Sequence, residues 1–295
     1  AMAENLMQAA PAIDACVIGE GELTVMEVVE RLDKGDKDWS NIEGIVYRDG
    51  SGFRKTATRG QIENLDDLPL PARHLFNISG YDLHFATFES GSTMTMTATR
   101  GCAGRCKFCA IPGIYPQHRW RSADAVLMEL SHILDNYPIV ENIVFFDDSL
   151  TLNKPRLYAL LDAFKRAPRH FRWGCWSRAN AIDEEVARAM AETGCITISF
   201  GLESGSERML GLMRKGITLE HGMRAIAACR KAGIRPRGTF ITGLPGETFE
   251  EALQTLDFVR RLGLGSDALV CITDGLQYYP GSEWFGEFLS EHPDF

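Results

Sequence analysis

The sequence of 295 residues has no long apolar run and no excess of positive charge. A membrane-spanning helix needs about 20 apolar residues, and no run in this chain approaches that length. A formal net charge of −9 and a pI near 5.3 argue against binding a long nucleic acid by bulk electrostatics. We therefore expect a chain with no membrane span that acts on a small or carrier-bound substrate, with nucleic acid disfavoured as a partner.

The sequence also begins without a secretory signal peptide, and its eight cysteines are not expected to form disulfides. Five of them stand in apolar surroundings, which is typical of buried free thiols: Cys16, Cys175, Cys195, Cys229 and Cys271. Both observations indicate a reducing compartment, and we expect the protein to be cytoplasmic.

The other three cysteines stand four and then three residues apart, directly after an alternating run: Cys102, Cys106 and Cys109. From Ser92 to Thr99, Thr alternates with Met or Ala, a period of two that predicts a half-buried strand. Gly101 and Gly104 then allow a tight loop whose backbone can curl around an inorganic core. The spacing predicts that the three thiols leave the end of a strand and bind one metal-containing group.

A single zinc ion does not suit this triplet. Zinc usually takes four protein ligands, often as two separated pairs, and no second pair of Cys or His follows at such spacing. His118 is the nearest candidate for a fourth ligand, but it follows Pro112 and Pro116 and is interpreted as a loop residue. In a cubane of four irons each metal takes one outside ligand, so three thiolates leave one iron open for reaction.

The cysteine triplet, with Phe108 just before the third thiol, resembles the cluster loop of radical S-adenosylmethionine (SAM) enzymes. The resemblance implies a [4Fe–4S] cluster held by Cys102, Cys106 and Cys109, which are then the metal-binding and catalytic residues, with Phe108 beside the cofactor. It also implies that the open iron binds the amino and carboxylate groups of SAM. One electron would then split the sulfonium and release a 5′-deoxyadenosyl radical.

From Thr93 onward, short apolar strands alternate with helical segments, which predicts an α/β fold with parallel strands. The six strand candidates are Met94–Ala98, Asn142–Phe146, Arg172–Trp176, Ile196–Phe200, Gly238–Thr242 and Ala268–Thr273. Six strands in this order match the partial (β/α)6 barrel that the resemblance implies, and we expect this radical SAM core to span residues 76–295. Barrel enzymes place their chemistry at the C-terminal ends of the strands.

Charged residues follow the second and third predicted strands. Asp147 and Asp148 end the second strand, where they could bind a ligand or cap the next helix. The resemblance implies that one of them receives the amino group of SAM. Arg178 ends the third strand, where the resemblance supports a role near the SAM carboxylate and the alternative is an ion pair with either aspartate.

The fourth and fifth strands end in segments that suit a nucleoside. A carboxylate between glycines, as at Glu203, can accept both hydroxyls of a ribose. The ribose motif of the family matches at Glu203, and Ser199 is the matching strand residue that faces the ligand. On the fifth strand, Ile241 offers an apolar face and Gly243 lets a flat ring approach the backbone, which suits the adenine.

The N-terminal part reads as a strand over Ile13–Ile18, a helix over Leu23–Leu32 and a hairpin formed by Ile42–Tyr47 and Phe53–Thr56. With the Pro-rich connector that follows, this order is similar to the joint between the two domains of cobalamin-dependent radical SAM enzymes. We therefore expect residues 1–75 to be a small remnant of a cobalamin-binding-type α/β domain plus a hairpin and linker. The family's cobalamin-binding His motif is absent from these residues, which argues against cobalamin in this chain and leaves it open for a longer protein.

The resemblance implies an enzyme whose radical abstracts hydrogen from an unidentified substrate, for cobalamin-assisted methylation or for ring formation. A methylthiotransferase acting on tRNA is one alternative, although its extra cysteine set and RNA-binding domain are not visible. The other is a non-catalytic iron–sulfur or zinc protein. Basic residues around the cysteine loop, among them Arg105 and Lys107, are either solvated charges or the contact for an acidic electron donor such as flavodoxin or ferredoxin.

Overall fold

The computed structural model describes residues 2–50, 52–81, 83, 85, 88, 90–264, 270–273 and 275–294. The helices are α1 (Ala3–Ala9), α2 (Glu22–Asp33), α3 (Ile111–Ile114), α4 (Ala123–Asn136), α5 (Lys154–Phe164), α6 (Glu184–Glu192), α7 (Glu207–Leu212), α8 (Leu219–Lys231), α9 (Phe249–Arg261) and α10 (Glu283–Glu291). The strands are β1 (Ala15–Val17), β2 (Ile45–Asp49), β3 (Gly52–Lys55), β4 (Ser92–Met96), β5 (Thr99–Arg100), β6 (Arg119–Trp120), β7 (Val140–Phe145), β8 (Arg172–Ser177), β9 (Cys195–Glu203), β10 (Arg235–Ile241) and β11 (Val270–Thr273). Among these helices, none combines the length and the apolar character needed to cross a bilayer.

Six parallel strands form the main sheet, in the order β11-β10-β9-β8-β7-β4. Each strand lies beside the next one along the chain, with crossover helices between them, so the expected α/β partial barrel is confirmed. Strand β9 is longer than expected and runs on to Glu203. Of the last predicted strand, positions 268 and 269 lie outside the described residues.

Local capping chemistry sets the ends of the crossover helices. The side chains of Ser122, Asn153 and Asp183 accept hydrogen bonds from backbone N–H groups in the first turns of α4, α5 and α6. Gly194 and Gly233, which follow α6 and α8, have φ of 90° and 76°. These left-handed conformations stop the helices and turn the chain into the next strand.

An aromatic cluster fills the space between the sheet and α5. Phe145 stacks on Phe164 with 5.2 Å between ring centroids, and Trp173 meets both rings edge-on. Free cysteines pack in the same interior, as expected: Cys175, Cys195 and Cys229 are buried, whereas Cys16 is half-buried. Burial raises the pKa of the Cys229 thiol to about 12, so this thiol stays protonated and unreactive. The side chain of Cys271 lies outside the described residues.

The N-terminal residues form a small antiparallel sheet with the order β1-β2-β3. The predicted hairpin is present as β2 and β3. Strand β1 runs antiparallel to β2, with Ala15 opposite Tyr47, and therefore belongs to the same sheet as the hairpin. Ile42, Ile45 and Tyr47 make the core of this part.

The chain divides into two compact units. The hairpin unit holds the described residues of 2–63, 109–116 and 278–294, and the barrel unit holds those of 64–108 and 117–277. This grouping does not follow the order of the sequence, and the expected division into 1–75 and 76–295 stays a prediction.

A buried carboxylate ties the connector that precedes the barrel to helix α4. Glu129 is 2% exposed and accepts hydrogen bonds from Arg73 at 2.6 Å and from Arg121. Arg73 also donates to the backbone carbonyl of Thr95 in β4. The carboxylate therefore neutralises two guanidinium groups that both lie against the first barrel strand and its exit.

We expect Glu129→Gln to lower the free energy of unfolding by about 3 kcal/mol, because two half-buried arginines lose the buried carboxylate that pairs with them. Urea unfolding followed by circular dichroism measures the change. Asp162→Asn, which removes an exposed partner of Lys165, is the matched control and should change stability by less than about 0.5 kcal/mol. Equal effects of the two substitutions would contradict the stabilising role of Glu129.

Candidate functional site

The loop that carries the three cysteines is closed at its base by a short antiparallel pair. Thr99 and Arg100 in β5 lie opposite Trp120 and Arg119 in β6. Two strands separated by 18 residues of loop are thereby held together, directly after the first barrel strand. Cys102 and Cys106 accordingly fall at the C-terminal edge of the parallel sheet, where barrel enzymes carry their chemistry.

The first two cysteines lie in the barrel unit. Cys106 is buried, Cys102 is half-buried, and Cys102 Sγ accepts a hydrogen bond from the backbone N–H of Gly104 at 3.3 Å. A Cβ atom at Gly104 would stand 2.7 Å from Arg178 Nη1 and 3.4 Å from Cys102 Sγ, so any side chain here would force the guanidinium to shift. The loop backbone therefore passes close to a sulfur and a guanidinium at the same point.

Cys109 is half-buried and falls in the hairpin unit. In the described part of the chain, no three side chains of His, Cys, Asp or Glu stand close enough to hold one metal ion. The thiolates of a four-iron cubane each bind a different iron, so they need not converge on a single metal. Cys102 and Cys106 of the barrel unit, on a glycine-containing loop beside a guanidinium, are donors that fit such a cluster.

Asp147 is buried and holds the start of this loop. Its carboxylate, 3% exposed, accepts hydrogen bonds from Ala98 N at 3.0 Å, from Thr99 N and from Thr99 Oγ1 at 2.6 Å. It does not cap a helix, since Asn153 caps α5. Burial raises the pKa of Asp147 to about 6 despite these three donors, which oppose the shift.

Asp148 lies differently, with its side chain at the surface of the sheet edge. Partial desolvation raises the pKa of its carboxyl group, and a backbone hydrogen bond from Gly101 opposes that effect. The two neighbouring acids therefore differ in availability: the carboxylate of Asp147 is used by backbone donors, whereas that of Asp148 is accessible.

Arg178 follows β8 and points toward the cysteine loop. Its Nη1 lies 3.8 Å from Cys106 Sγ, and its Nη2 donates to the backbone carbonyl of Lys215. Across the residues that the structure describes, no ion pair joins Arg178 to Asp147 or Asp148, which was the alternative drawn from the sequence. A guanidinium beside a thiolate offsets part of the negative charge of a thiolate-bound metal cluster.

Glu203 ends β9 in an unusual conformation. Its φ is +64°, in the left-handed region, and its side chain is 9% exposed. Oε1 accepts a hydrogen bond from Lys215 Nζ at 2.8 Å. A Cβ at Gly201 would stand 2.3 Å from Oε1 of Glu203, so glycine is what lets the carboxylate fold back over its own strand.

The remaining predicted residues lie on β9 and at the end of β10. Ser199 is 5% exposed in β9, opposite Trp176 in β8 and Arg237 in β10. Ile241 is the last residue of β10 and is half-buried. Gly243 has φ of +70° and donates its N–H to Glu247 Oε2 at 2.6 Å, which fixes the turn beyond the strand.

Lys215 is the residue of this edge that the sequence did not reveal. It is 7% exposed, in the short connection between α7 and α8, and its ammonium lies 5.6 Å from the centre of the Phe108 ring. The only signal in the sequence is an Arg-Lys-Gly run, which reads as a solvated turn. Nothing in that run predicts a buried lysine.

A partial barrel of parallel strands, with three thiols on the loop after its first strand and an acid and a guanidinium on later strands, defines a class of iron–sulfur proteins that bind SAM. The chain belongs to this class: the profile of the radical SAM superfamily matches residues 96–259, and the chain is a member of that superfamily. The cofactors of this superfamily are a [4Fe–4S] cluster and SAM.

Two curated relatives are similar over most of this chain. An uncharacterized methyltransferase of Pyrococcus horikoshii is 37% identical over 281 residues, which cover 95% of this chain and 59% of that protein. The cytidylyl-2-hydroxyethylphosphonate methyltransferase of Streptomyces wedmorensis is 28% identical over 290 residues, covering 87% of this chain and 54% of that protein. The chain thus spans somewhat more than half the length of these relatives.

The fold is similar to that of the radical SAM methyltransferase TsrM from Kitasatospora setae, solved with tryptophan and a SAM analogue. The TM-score is 0.79 at 19% identity, over 98% of this chain and 56% of TsrM. A second structure of TsrM, with cobalamin and a [4Fe–4S] cluster bound, gives a TM-score of 0.77 at 20% identity. The likeness extends over nearly the whole described fold.

The raised pKa of Asp147 predicts a pH-dependent stability. An aspartate has an ordinary pKa of 3.8, so between about pH 4 and pH 6 the folded protein keeps a proton here that the unfolded chain has lost. The free energy of unfolding must then fall as the pH rises through this window, by up to about 3 kcal/mol. Urea unfolding from about pH 4 to about pH 7 measures wild type against Asp147→Asn, which cannot titrate.

The stability of the wild type relative to Asp147→Asn should therefore decline across that window, whereas the exposed control Asp162→Asn should track the wild type. A difference that rises with pH would mean that the three hydrogen bonds to the carboxylate outweigh its desolvation, and the predicted sign of the pH dependence would be wrong.

Proposed function

We propose that this chain is the catalytic core of an enzyme that cleaves SAM reductively and uses the 5′-deoxyadenosyl radical on a small or carrier-bound substrate. The proposal is supported chiefly by the arrangement at one edge of the sheet. Arg178 lies beside Cys106 of the cysteine loop and donates a hydrogen bond to the carbonyl of Lys215. The ammonium of Lys215 in turn donates to the buried acid Glu203. In the sequence, the radical SAM profile covers all these residues.

Cys102, Cys106 and Cys109 would bind the [4Fe–4S] cluster through their thiolates. Bound there, the cluster would supply the electron that splits SAM into methionine and the 5′-deoxyadenosyl radical. Arg178, 3.8 Å from Cys106 Sγ, would offset negative charge near the cluster. Phe108 would shield the cofactor from water on the side where it meets the Lys215 ammonium.

The strand ends would bind SAM in the order in which they follow the loop. Asp148 is the better candidate for the SAM amino group because the carboxylate of Asp147 is already bonded to Ala98 and Thr99. Asp147 would then have no contact with SAM and would orient the cysteine loop through its hydrogen bonds to Ala98 and Thr99. Arg178, whose Nη1 lies next to Cys106 Sγ, would bind the SAM carboxylate.

The nucleoside would be bound farther along the sheet edge. Glu203 would accept the ribose hydroxyls through Oε2, since Lys215 occupies Oε1. Ser199 would face the same ligand from β9. Ile241 and the turn at Gly243 would present an apolar edge and an exposed backbone to the adenine. Every residue of this set follows or ends a parallel strand, apart from Ser199 inside β9.

For the whole enzyme we propose methyl transfer assisted by cobalamin, because the two relatives described above are named as methyltransferases and TsrM has been solved with cobalamin. Residues 1–75 lack the family's cobalamin-binding His motif, so cobalamin would be held by other residues. A methylthiotransferase reaction is the weaker alternative, since the relatives at 37% and 28% identity are methyltransferases. The net charge of −9 also disfavours tRNA as the substrate.

The electron donor would be a flavodoxin or ferredoxin that docks on the basic residues of the cysteine loop, in the cytoplasm. Because such donors are acidic, raised salt should slow reduction by the natural donor but not by a small reductant.

Reductive cleavage is tested by anaerobic reconstitution with iron and sulfide, followed by dithionite and SAM. We expect equal amounts of 5′-deoxyadenosine and methionine, and their loss in Cys106→Ser together with a lower iron content. Cys16→Ser, which changes a half-buried thiol outside the loop, is the control and should retain both iron and activity. An intact cluster in the wild type without any 5′-deoxyadenosine would overturn the enzyme proposal.

The proposed role of Glu203 predicts an effect on SAM binding. Glu203→Gln should raise the KM for SAM about 10-fold or more, because hydrogen bonds to a charged group are worth about 1.5–3 kcal/mol. The rate of 5′-deoxyadenosine formation at varied SAM concentration measures it. Glu250→Gln, on the exposed side of α9, is the matched control. An unchanged KM in a folded Glu203→Gln protein would exclude ribose binding by this acid.

A further inference from the structure

The connection between α7 and α8 contacts both the cysteine loop and the acid of β9. We name this segment, Met213–Gly216, the brace. Its first residue accepts a backbone hydrogen bond from Lys107 N at 3.0 Å, and the carbonyl of Lys215 accepts one from Arg178. The first bond joins a segment remote in sequence to the cysteine loop at Lys107, between Cys106 and Phe108. The second joins the same segment to Arg178, which itself lies 3.8 Å from Cys106 Sγ.

The side chain of Lys215 extends from the brace in the other direction, to Glu203. Both side chains of this ion pair are 9% exposed, and Nζ lies 2.8 Å from Oε1. Across the described residues, no other donor contacts this carboxylate, so Oε2 is left for a ligand. The ammonium therefore fixes the orientation of the carboxylate and leaves one oxygen to accept a hydroxyl group.

The backbone of the brace is held in a conformation that residues other than glycine rarely adopt. Arg214 has φ of +52° and Gly216 has φ of +68°. A Cβ at Gly216 would stand 3.2 Å from Arg178 Nη2, which is a tight contact. Left-handed residues so close together cost free energy and persist where the surroundings determine them. The turn is thus shaped to bring its carbonyl to Arg178 and its lysine to Glu203.

Burying an ammonium and a carboxylate is costly, and such a pair by itself gives little net stability. If the brace only connected α7 to α8, a solvent-exposed ion pair, or none, would be sufficient. The arrangement instead places the single ammonium 2.8 Å from the carboxylate and 5.6 Å from the centre of the Phe108 ring. A cation in that position interacts with the acid and with the aromatic face, while the carbonyl of the same residue accepts the guanidinium.

We propose that Lys215 is a positioning residue that couples the order of the cysteine loop to recognition of the SAM ribose by Glu203. The proposal rests on the proposed function for its ligand, but the coupling between loop and acid is a property of the chain alone. Lys215 orients Glu203 through its ammonium, and it orients Arg178 and Phe108 through its carbonyl and its charge.

The test compares Lys215→Met, which keeps the apolar stem and removes the ammonium, with Lys231→Met. Lys231 lies on α8 in an exposed pair with Glu184 and is the matched control. In the cluster-loaded enzyme we expect Lys215→Met to raise the KM for SAM about 10-fold with kcat little changed, because the carboxylate is still present but no longer oriented. Lys215→Gln keeps one donor for Oε1 and should fall between the two, and it serves as the test variant if Lys215→Met does not fold.

A second measurement does not depend on catalysis. Hydrogen exchange of the backbone amides of residues 102–108, in the protein without metal, should become about 10-fold faster in Lys215→Met and stay unchanged in Lys231→Met. Exchange in β7 and β8 reports whether the barrel itself is intact.

The outcomes separate this inference from the proposed function. A wild type that forms no 5′-deoxyadenosine ends the proposed function, and the exchange measurement alone then decides the role of Lys215. If the wild type is active, an unchanged KM in Lys215→Met overturns the inference. Unchanged exchange over residues 102–108 overturns it in either case.

Discussion

Where the first barrel strand ends, the buried carboxylate of Asp147 accepts the backbone hydrogen bonds that a neighbouring strand would otherwise accept. Strands β4 and β7 are paired up to Met96 and Phe145, and the N–H of Phe146 makes the last bond, to the carbonyl of Met96 at 2.8 Å. The described pairing of β4 with β7 does not extend to Ala98 and Thr99. Asp147 supplies the missing acceptors, so the chain leaves the sheet in a fixed direction without an unpaired buried N–H group.

The carbonyl groups of the same segment are bonded by arginines. Arg156 donates to the carbonyl of Ala98 at 2.8 Å, and Arg121 donates to that of Thr97 at 3.1 Å. Burial lowers the pKa of Arg156 to about 10, which still leaves its guanidinium charged at neutral pH. The base of the cysteine loop is therefore ordered by side chains from the end of β7, from α5 and from the residue after β6 before any metal binds. Such preorganisation reduces the entropy that binding a cluster would otherwise cost.

Most of the fold could be predicted from local sequence patterns. Most of the site could not, because it depends on contacts between residues that are far apart in the sequence. The alternation of strands and helices was predicted because neighbouring residues set it, and the caps at Ser122 and Asp183 follow the same local chemistry. The difference between Asp147 and Asp148 depends on the register of β4 against β7, which joins residues about 50 positions apart. Lys215 was also missed, because its contact with Glu203 depends on the left-handed turn at Arg214 and Gly216, which no local pattern specified. The antiparallel pairing of β1 with β2 could not be predicted, since a strand of three residues carries no signal of its partner's direction.

The backbone of Glu203 is strained, and an acid that only formed an ion pair would not need this strain. A residue other than glycine with φ of +64° costs of the order of 1–3 kcal/mol and adds to the desolvation of a buried ion pair. The register of β9 against β10 shifts at this point, so that Phe240 lies opposite Glu203 directly after Thr239 lies opposite Gly201. The irregularity turns the acid back over its strand, into the space that Gly201 leaves open. A regular strand would have avoided this backbone cost and placed the side chain elsewhere, so the distortion supports the proposed binding of a ligand at the carboxylate.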